Sequence, residues 1–151
     1  MQVREIIEVK GTALYTTGEQ QRLSEALAAM AEHDIGSLVV MSQGKMVGML
    51  TFREVLLAVH KHAGKIDDVS VGDVMVANPV TAPPDMEAND LRRLLIERRM
   101  RYLPVMDGEM LLGVISFHDV AKAVLEEQRF ENLMLKNYIK NWPAEDEGAK
   151  A

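Results

Sequence analysis

The chain has 151 residues, of which 48% are hydrophobic and 26% are charged, and its formal net charge is −6 at pH 7. This composition indicates a globular protein, and the negative charge argues against nucleic acid as a partner, because phosphate backbones are repelled. There is no cysteine and no apolar run near the roughly 18 residues of a membrane span, so we expect a cytoplasmic protein without disulfides or a membrane partner.

The first half of the chain predicts a β-α-β-β-α unit. Leu23, Ala26 and Met30 recur at helical spacing and indicate an amphipathic helix. Two β-rich runs separated by residues 42–45 indicate a hairpin. In chain order, the predicted elements are an extended segment at 14–16, the amphipathic helix, strands at 37–41 and 46–50, and a second helix beginning at Thr51.

The second half predicts the same unit again. Its elements are an extended segment at 80–82, a helix around Leu91, Leu94 and Leu95, strands at 102–106 and 111–115, and a helix from Ser116 that continues to residue 139. Turn and cap formers fill the connection between the units, where residues 69–75 predict one short helical turn. The polar end of the chain predicts disorder.

The two units are copies of one another. Residues 35–59 align without a gap on residues 100–124, so that Gly48 falls on Gly113 and Phe52 on Phe117, 65 positions later. The predicted fold class is therefore α/β (α+β), with two β-α-β-β-α repeats packed sheet to sheet about a pseudo-two-fold axis and a C-terminal helical extension. The predicted divisions are repeat 1 at 3–63, a linker at 64–78, repeat 2 at 79–125, the helix extension at 126–140 and a disordered tail at 141–151.

The best-matched points of the repeat are the sequences GMLTFREV at 48–55 and GVISFHDV at 113–120. In each, a hydroxyl residue precedes a carboxylate by three positions, which is the capping-box pattern of a helix N-terminus. The same geometry suits a ligand, because free N–H groups and the helix dipole stabilise phosphate and a carboxylate accepts ribose hydroxyls. The motif by itself leaves both interpretations open.

Together with the segments at 73–85 and 101–120, these motifs resemble a tandem cystathionine-β-synthase (CBS) domain pair, the Bateman module, over residues 3–125. The resemblance to stand-alone bacterial modules implies a regulatory sensor without catalytic activity or a catalytic cofactor. It implies that an adenine nucleotide (AMP, ADP or ATP) binds in the cleft between the repeats. It also implies a homodimer that acts on a regulated protein partner.

The resemblance implies a role for each residue around the second motif. Asp119 matches the family's ribose-binding aspartate, and Ser116 matches its phosphate-binding hydroxyl. Because Glu54 departs from that aspartate by one methylene, we expect a single working site in the second repeat. The implied ligand-binding residues are Asp119, Ser116, His118 and Arg101 for ribose and phosphate, with Tyr15, Ile35, Gly36 and Val114 around the base. A possible second site comprises Thr51, Arg53, Glu54, Thr81 and Val80.

Other features leave alternative functions open. Five arginines between residues 92 and 101 could form a face that docks an acidic partner or RNA, but solvation on a helix surface is the favoured interpretation. NAD or S-adenosylmethionine is an alternative ligand. His60 and His62 point to different sides of a helix, so we expect no metal site, and the absence of a catalytic set disfavours an enzyme.

Overall fold

The computed structural model describes residues 1–11 and 13–141. In chain order the elements of this part are α1 (Val3–Lys10), β1 (Thr16–Gly18), α2 (Leu23–His33), β2 (Ser37–Ser42), β3 (Lys45–Thr51), α3 (Phe52–Lys61), α4 (Val71–Val74), β4 (Val76–Ala77), α5 (Ala88–Arg98), β5 (Tyr102–Asp107), β6 (Met110–Ser116) and α6 (Phe117–Lys140). The predicted disordered tail, apart from Asn141, lies outside the described residues.

The two hairpins confirm the predicted repeat. Strands β2 and β3 pair antiparallel with Leu38 opposite Leu50, and β5 and β6 pair antiparallel with Leu103 opposite Ile115. Both hairpins carry a register shift at equivalent positions, after Val40 and after Val105. The repeats therefore share register as well as topology, and the predicted mixed α/β fold is confirmed.

The first strand of the second repeat is shorter than the sequence predicts. Strand β1 pairs parallel with β2 over three residues, whereas its counterpart is a single parallel bridge between Ala82 and Val105. The residues after Ala82 are Pro83 and Pro84, which have no N–H group to donate to a neighbouring strand. The first sheet instead gains an unpredicted strand, because β4 pairs antiparallel with β3.

The hydrophobic cores do not follow the order of the chain. The buried side chains form one cluster for each repeat, but Val3 and Ile6 from α1 belong to the cluster of the second repeat. Conversely, Val69 and Val71, from the segment before the second repeat, belong to the cluster of the first. Each repeat therefore completes its core with the segment that precedes the other, and the sequence analysis missed this exchange.

The glycines of the two motifs make room for the exchanged segments. A Cβ atom on Gly48 would lie 2.7 Å from the Met75 sulfur and 2.8 Å from the Val76 carbonyl oxygen. A Cβ atom on Gly113 would lie 3.3 Å from the Ile7 side chain. Glycine occurs at this position in both repeats because a crossing segment passes close to the backbone there, where a side chain would not fit without a shift of its neighbours.

Helix α6 extends beyond the second repeat as one continuous element of 24 residues. Its buried residues, Val120 and Val124, both lie in its first eight positions, and the rest of the helix projects from the core. In the described part of the chain, no helix is long and apolar enough to cross a membrane.

Candidate functional site

Two clefts lie between the repeats, and the 65-residue offset relates one to the other. The first, here called the Ser116 cleft, has a volume of about 350 Å³. It is lined by Lys10, Ala13, Leu14, Tyr15, Asp34, Ile35, Gly36, Ser37, Val39, Tyr102, Val114 and Ser116. Both repeats therefore contribute to its walls, as the resemblance implies for a ligand cleft.

The second cleft, here called the Thr51 cleft, has a volume of about 660 Å³. It is lined by Met49, Thr51, Phe52, Arg53, Glu54, Val76, Pro79, Val80, Arg98, Arg99, Met100, Arg101 and Tyr102. Many of these residues are the offset partners of residues in the Ser116 cleft, for example Thr51 for Ser116 and Val80 for Tyr15. The pseudo-symmetry of the sequence thus produces two equivalent clefts with different side chains.

The N-terminus of α6 borders the Ser116 cleft and forms a capping box. The Asp119 backbone N–H donates to Ser116 Oγ over 3.0 Å, and the Ser116 backbone N–H donates to Asp119 Oδ2 over 2.9 Å. This arrangement satisfies two N–H groups at the helix N-terminus, so the structural interpretation of the motif holds. It does not exclude a ligand, because Ser116 still lines the cleft.

Lys10 is the main charged neighbour of Asp119. Its ammonium lies 2.7 Å from Asp119 Oδ2 and donates to the Val114 carbonyl oxygen over the same distance. Burial by itself would raise the pKa of the Asp119 carboxyl, but hydrogen bonds from Lys10 and from the Ser116 backbone hold that pKa below its ordinary value of 3.8. Asp119 is therefore a carboxylate at neutral pH.

Most residues predicted for the main site lie in the Ser116 cleft. Ser116, Val114, Tyr15, Ile35 and Gly36 all line it. The Tyr15 ring packs against the His33 ring, with 4.5 Å between the centroids. The predicted residues His118 and Asp119 are not part of the lining: His118 is exposed on α6, and Asp119 lies beside the cleft with its side chain 21% exposed.

The predicted position of Arg101 requires a correction. Its side chain lines the Thr51 cleft and lies over the Phe52 ring, 5.1 Å from the centroid. Only its backbone approaches the other cleft, where its carbonyl oxygen accepts the Phe117 N–H over 2.8 Å. The offset partner of Arg101 is Gly36, where an added Cβ would overlap the Tyr102 hydroxyl. The structure therefore places Arg101 at a different cleft from Ser116, with which the resemblance groups it, and a role of Arg101 in phosphate binding stays a prediction.

The residues of the predicted second site also come together, with one exception. Thr51, Arg53, Glu54 and Val80 line the Thr51 cleft, whereas Thr81 does not. Glu54 is buried, and its Oε1 atom accepts from the Thr51 backbone N–H over 2.9 Å and from the Thr51 hydroxyl over 2.8 Å. Its Oε2 atom lies 3.8 Å from the Arg53 guanidinium. Both carboxylate oxygens therefore have partners within the protein.

Sequence reasoning missed several residues of the clefts. Lys10 carries no repeat signal, because its offset partner is Met75, and it reaches Asp119 only through the exchange of α1. Asp34 and Arg99, which end α2 and α5 in left-handed conformations, were likewise not identified as cleft residues. Their equivalent positions in the two repeats could have revealed them.

Comparison with known proteins agrees with this architecture. A family model of the CBS domain matches residues 3–61 and 71–126. The chain therefore belongs to the CBS-domain family, as a tandem pair of such domains.

Relatives of this chain include proteins of similar size and parts of larger enzymes. The structure of the CBS-domain containing protein ATU1752 from Agrobacterium tumefaciens superposes with a TM-score of 0.77 at 29% identity, covering 82% of this chain and 98% of that one. The CBS domain-containing protein YhcV of Bacillus subtilis is 31% identical over 110 residues, 73% of this chain and 78% of its own. Inosine-5'-monophosphate dehydrogenase of Methanocaldococcus jannaschii is 31% identical over 122 residues, which are 80% of this chain but 23% of the enzyme.

Proposed function

We propose that this protein is a non-catalytic regulatory module that binds an adenine nucleotide (AMP, ADP or ATP) in the Ser116 cleft. The observation that carries the proposal is the position of Asp119. Its carboxylate lies at the N-terminus of α6 beside a cleft between the repeats, and the hydrogen bonds to it in the described residues all reach Oδ2. Oδ1 is therefore available to accept a ribose hydroxyl.

The walls of the Ser116 cleft suit the rest of a nucleotide. Ile35 and Val114 offer an apolar surface to a base, and Tyr15, which is partly exposed, lies at the same cleft. The α6 N-terminus offers positive charge to a phosphate, and Lys10, whose ammonium also pairs with Asp119, lies at the same cleft. A nucleoside phosphate thus matches the cleft in each of its parts.

The relatives support a regulatory and not a catalytic function. YhcV and ATU1752 are CBS-domain proteins of which this chain covers 78% and 98%. The dehydrogenase match is confined to about a quarter of an enzyme whose name states a purine nucleotide as substrate. A pair of CBS domains beside purine nucleotide chemistry supports a purine nucleotide as the ligand class.

The proposed function is tested by thermal unfolding with a panel of adenosine, AMP, ADP, ATP, NAD and S-adenosylmethionine. A ligand at 100 times its dissociation constant adds about 2.7 kcal/mol, which should raise the midpoint of unfolding by roughly 5 to 11 °C for a chain of this size. We expect this rise with at least one adenine nucleotide. A rise confined to NAD or S-adenosylmethionine would assign the cleft to that ligand instead. No rise with any compound would favour a ligand-free docking module.

We further propose that the chain forms a homodimer in which the extension of α6 contributes to the interface. Five large apolar side chains of this extension are each more than half exposed, although exposed apolar surface of this extent is unfavourable in water. They are Phe130, Leu133, Met134, Leu135 and Ile139, of which Phe130, Leu133 and Met134 form a stripe along one side of the helix. A second copy of the chain would cover the stripe.

Sedimentation velocity tests the homodimer at micromolar concentration. We expect a dimer for the wild type and a monomer for Leu133→Glu, because the substitution places a charge in the stripe. Asn132→Glu is the matched control, since position 132 lies on the opposite side of the helix from Phe130. A stable wild-type monomer, or equal behaviour of the two variants, would refute the interface.

A further inference from the structure

The two clefts differ most in their charge. The Thr51 cleft is lined by four arginines, Arg53, Arg98, Arg99 and Arg101, whereas their offset partners in the other repeat are His118, His33, Asp34 and Gly36. One cleft thus carries four cationic side chains where the equivalent positions carry an acidic residue, a glycine and two histidines. Because these positions are equivalent in the two repeats, the difference in charge comes from the side chains.

The local structure directs three of these arginines into the cleft in succession. Arg98 is the last residue of α5, and Arg99 follows it with a positive φ of 53°. This left-handed residue turns the chain, so that Arg101 precedes strand β5 and stacks its guanidinium over Phe52, at the start of α3. The negative C-terminal end of the α5 dipole favours cations at this point.

Three of the four arginines of this cleft have no carboxylate partner among the described residues. Glu54 is the one carboxylate that lines the cleft in this part of the chain, and it pairs with the fourth arginine, Arg53, at 3.8 Å. Within residues 1–11 and 13–141, no carboxylate forms an ion pair with Arg98, Arg99 or Arg101. Like charges held together without a counter-ion repel one another, so an anion bound among them would be stabilised.

The residue of the Thr51 cleft that is equivalent to Asp119 is Glu54, and it is not placed to accept ribose hydroxyls. Both Glu54 oxygens are engaged by Thr51 and Arg53, and its side chain is only 9% exposed. Beside the Ser116 cleft, by contrast, the hydrogen bonds to Asp119 in the described residues reach only Oδ2. The two clefts therefore offer different chemistry: one pairs a cation with an accessible carboxylate, and the other presents guanidinium groups.

We propose that the Thr51 cleft binds a polyphosphate group, meaning two or more linked phosphates, and recognises it by charge without reading a sugar. Four arginines against one carboxylate leave an excess of three positive charges, more than a single phosphate neutralises. Planar guanidinium groups also suit phosphate oxygens through paired hydrogen bonds. The site is separate from the nucleotide site of the Ser116 cleft and does not depend on it.

Isothermal titration with inorganic tripolyphosphate tests the proposal, in a phosphate-free buffer at low and moderate salt. We expect one tripolyphosphate per wild-type chain, with affinity that falls as salt rises. Arg98→Ala and Arg101→Ala should each weaken binding roughly 10- to 100-fold, as expected for loss of a charge-assisted contact. Arg101→Lys should retain part of the affinity, which would show that Arg101→Ala acts through charge and not through misfolding.

Two controls separate this site from the rest of the protein. Arg93→Ala removes an arginine from the same helix, but Arg93 is paired with Asp90 outside the cleft, so tripolyphosphate affinity should change less than twofold. Asp119→Ala frees Lys10 in the Ser116 cleft, so in this variant the test is the part of tripolyphosphate binding that Arg98→Ala and Arg101→Ala abolish, which should persist. In this Asp119 variant, equal affinities for tripolyphosphate and ATP would show that the Thr51 cleft binds the phosphates of both compounds and that the sugar of ATP contributes nothing.

Several outcomes would overturn the proposal. They include no binding of tripolyphosphate, binding that Arg98→Ala and Arg101→Ala do not weaken, and much tighter binding of ATP than of tripolyphosphate in Asp119→Ala. Binding of an acidic peptide such as polyglutamate in place of tripolyphosphate, with the same arginine dependence, would make the cleft a protein-docking site. Loss of adenosine binding by Asp119→Ala concerns the Ser116 cleft alone, so the two proposals can fail separately.

Discussion

Asp119→Ala is expected to weaken the binding of adenosine and of AMP by similar factors, roughly 10- to 150-fold, equivalent to about 1.5–3 kcal/mol for a hydrogen bond to a charged group. The two factors are similar because Asp119 would contact the ribose, which both ligands share. The variant should also lose its discrimination against 2',3'-dideoxyadenosine, since no carboxylate would remain to accept the hydroxyls. Calorimetry with the three ligands provides the measurement.

The ratio of adenosine to dideoxyadenosine affinity is the decisive quantity in this experiment. Asp119→Ala also removes a capping partner and the ion pair with Lys10, so some loss of fold stability is expected. A ratio compares two ligands on one variant and is insensitive to that loss. Retention of the wild-type ratio in Asp119→Ala would show that the carboxylate is only a cap.

Glu54→Gln is the matched control for the Asp119 experiment. The amide keeps the shape of the side chain and can still accept from the Thr51 N–H, so the capping box of α3 should persist. We expect one tight adenine nucleotide per chain, unaffected by Glu54→Gln. Two equal nucleotide sites, or a large loss of affinity in Glu54→Gln, would contradict the difference between the clefts.

Ile6→Ala is expected to reduce the free energy of unfolding by about 2–5 kcal/mol, because it opens a cavity in a hydrophobic core. That core belongs to the second repeat, although Ile6 lies in α1 at the start of the chain. Ile6 is 5% exposed and packs within the cluster that holds Leu91 and Leu103. A loss of this size is a large part of the stability of an ordinary domain. Urea unfolding followed by circular dichroism measures it.

Val9→Ala is the control from the same helix. Val9 is 88% exposed, so its replacement should change the free energy of unfolding by no more than about 0.5 kcal/mol. Hydrogen exchange should show faster exchange in β5 and β6 for Ile6→Ala than in β2 and β3, since the cavity lies in the second core. Equal losses in the two variants, or effects confined to the first repeat, would contradict the exchange of α1.

The proposed difference between the clefts would give the duplicated chain two kinds of recognition. The exchange of the preceding segments is asymmetric in its chemistry, because α1 ends in Lys10 whereas the equivalent position before the second repeat is Met75. Lys10 therefore pairs with Asp119 in one cleft, and Met75 packs beside Gly48 next to the other. Repetition of the backbone with divergence at these positions would allow one module to respond to two ligands.

The sequence by itself determined the repeat, its elements and the capping motifs. Alternating apolar residues predict the hairpins, helical spacing predicts α2 and α5, and the hydroxyl–carboxylate pairs at Thr51 and Ser116 predict the helix starts. These features depend on neighbours in the chain, and a 65-residue register is visible without coordinates. The extension of α6 was predictable for the same reason.

Only the tertiary structure decided which core each crossing segment completes and which cleft each charged side chain enters. Ile6 and Val71 have the same pattern as any buried helical residue, so periodicity cannot say that Ile6 packs in the core of the second repeat and Val71 in the core of the first. Arg101 and Gly36 occupy equivalent backbone positions between the clefts, and the direction of the Arg101 side chain follows from its stacking on Phe52. Contacts between residues far apart in the chain determine which core a segment joins and which cleft a side chain lines. The spacing of residues along the sequence does not contain that information.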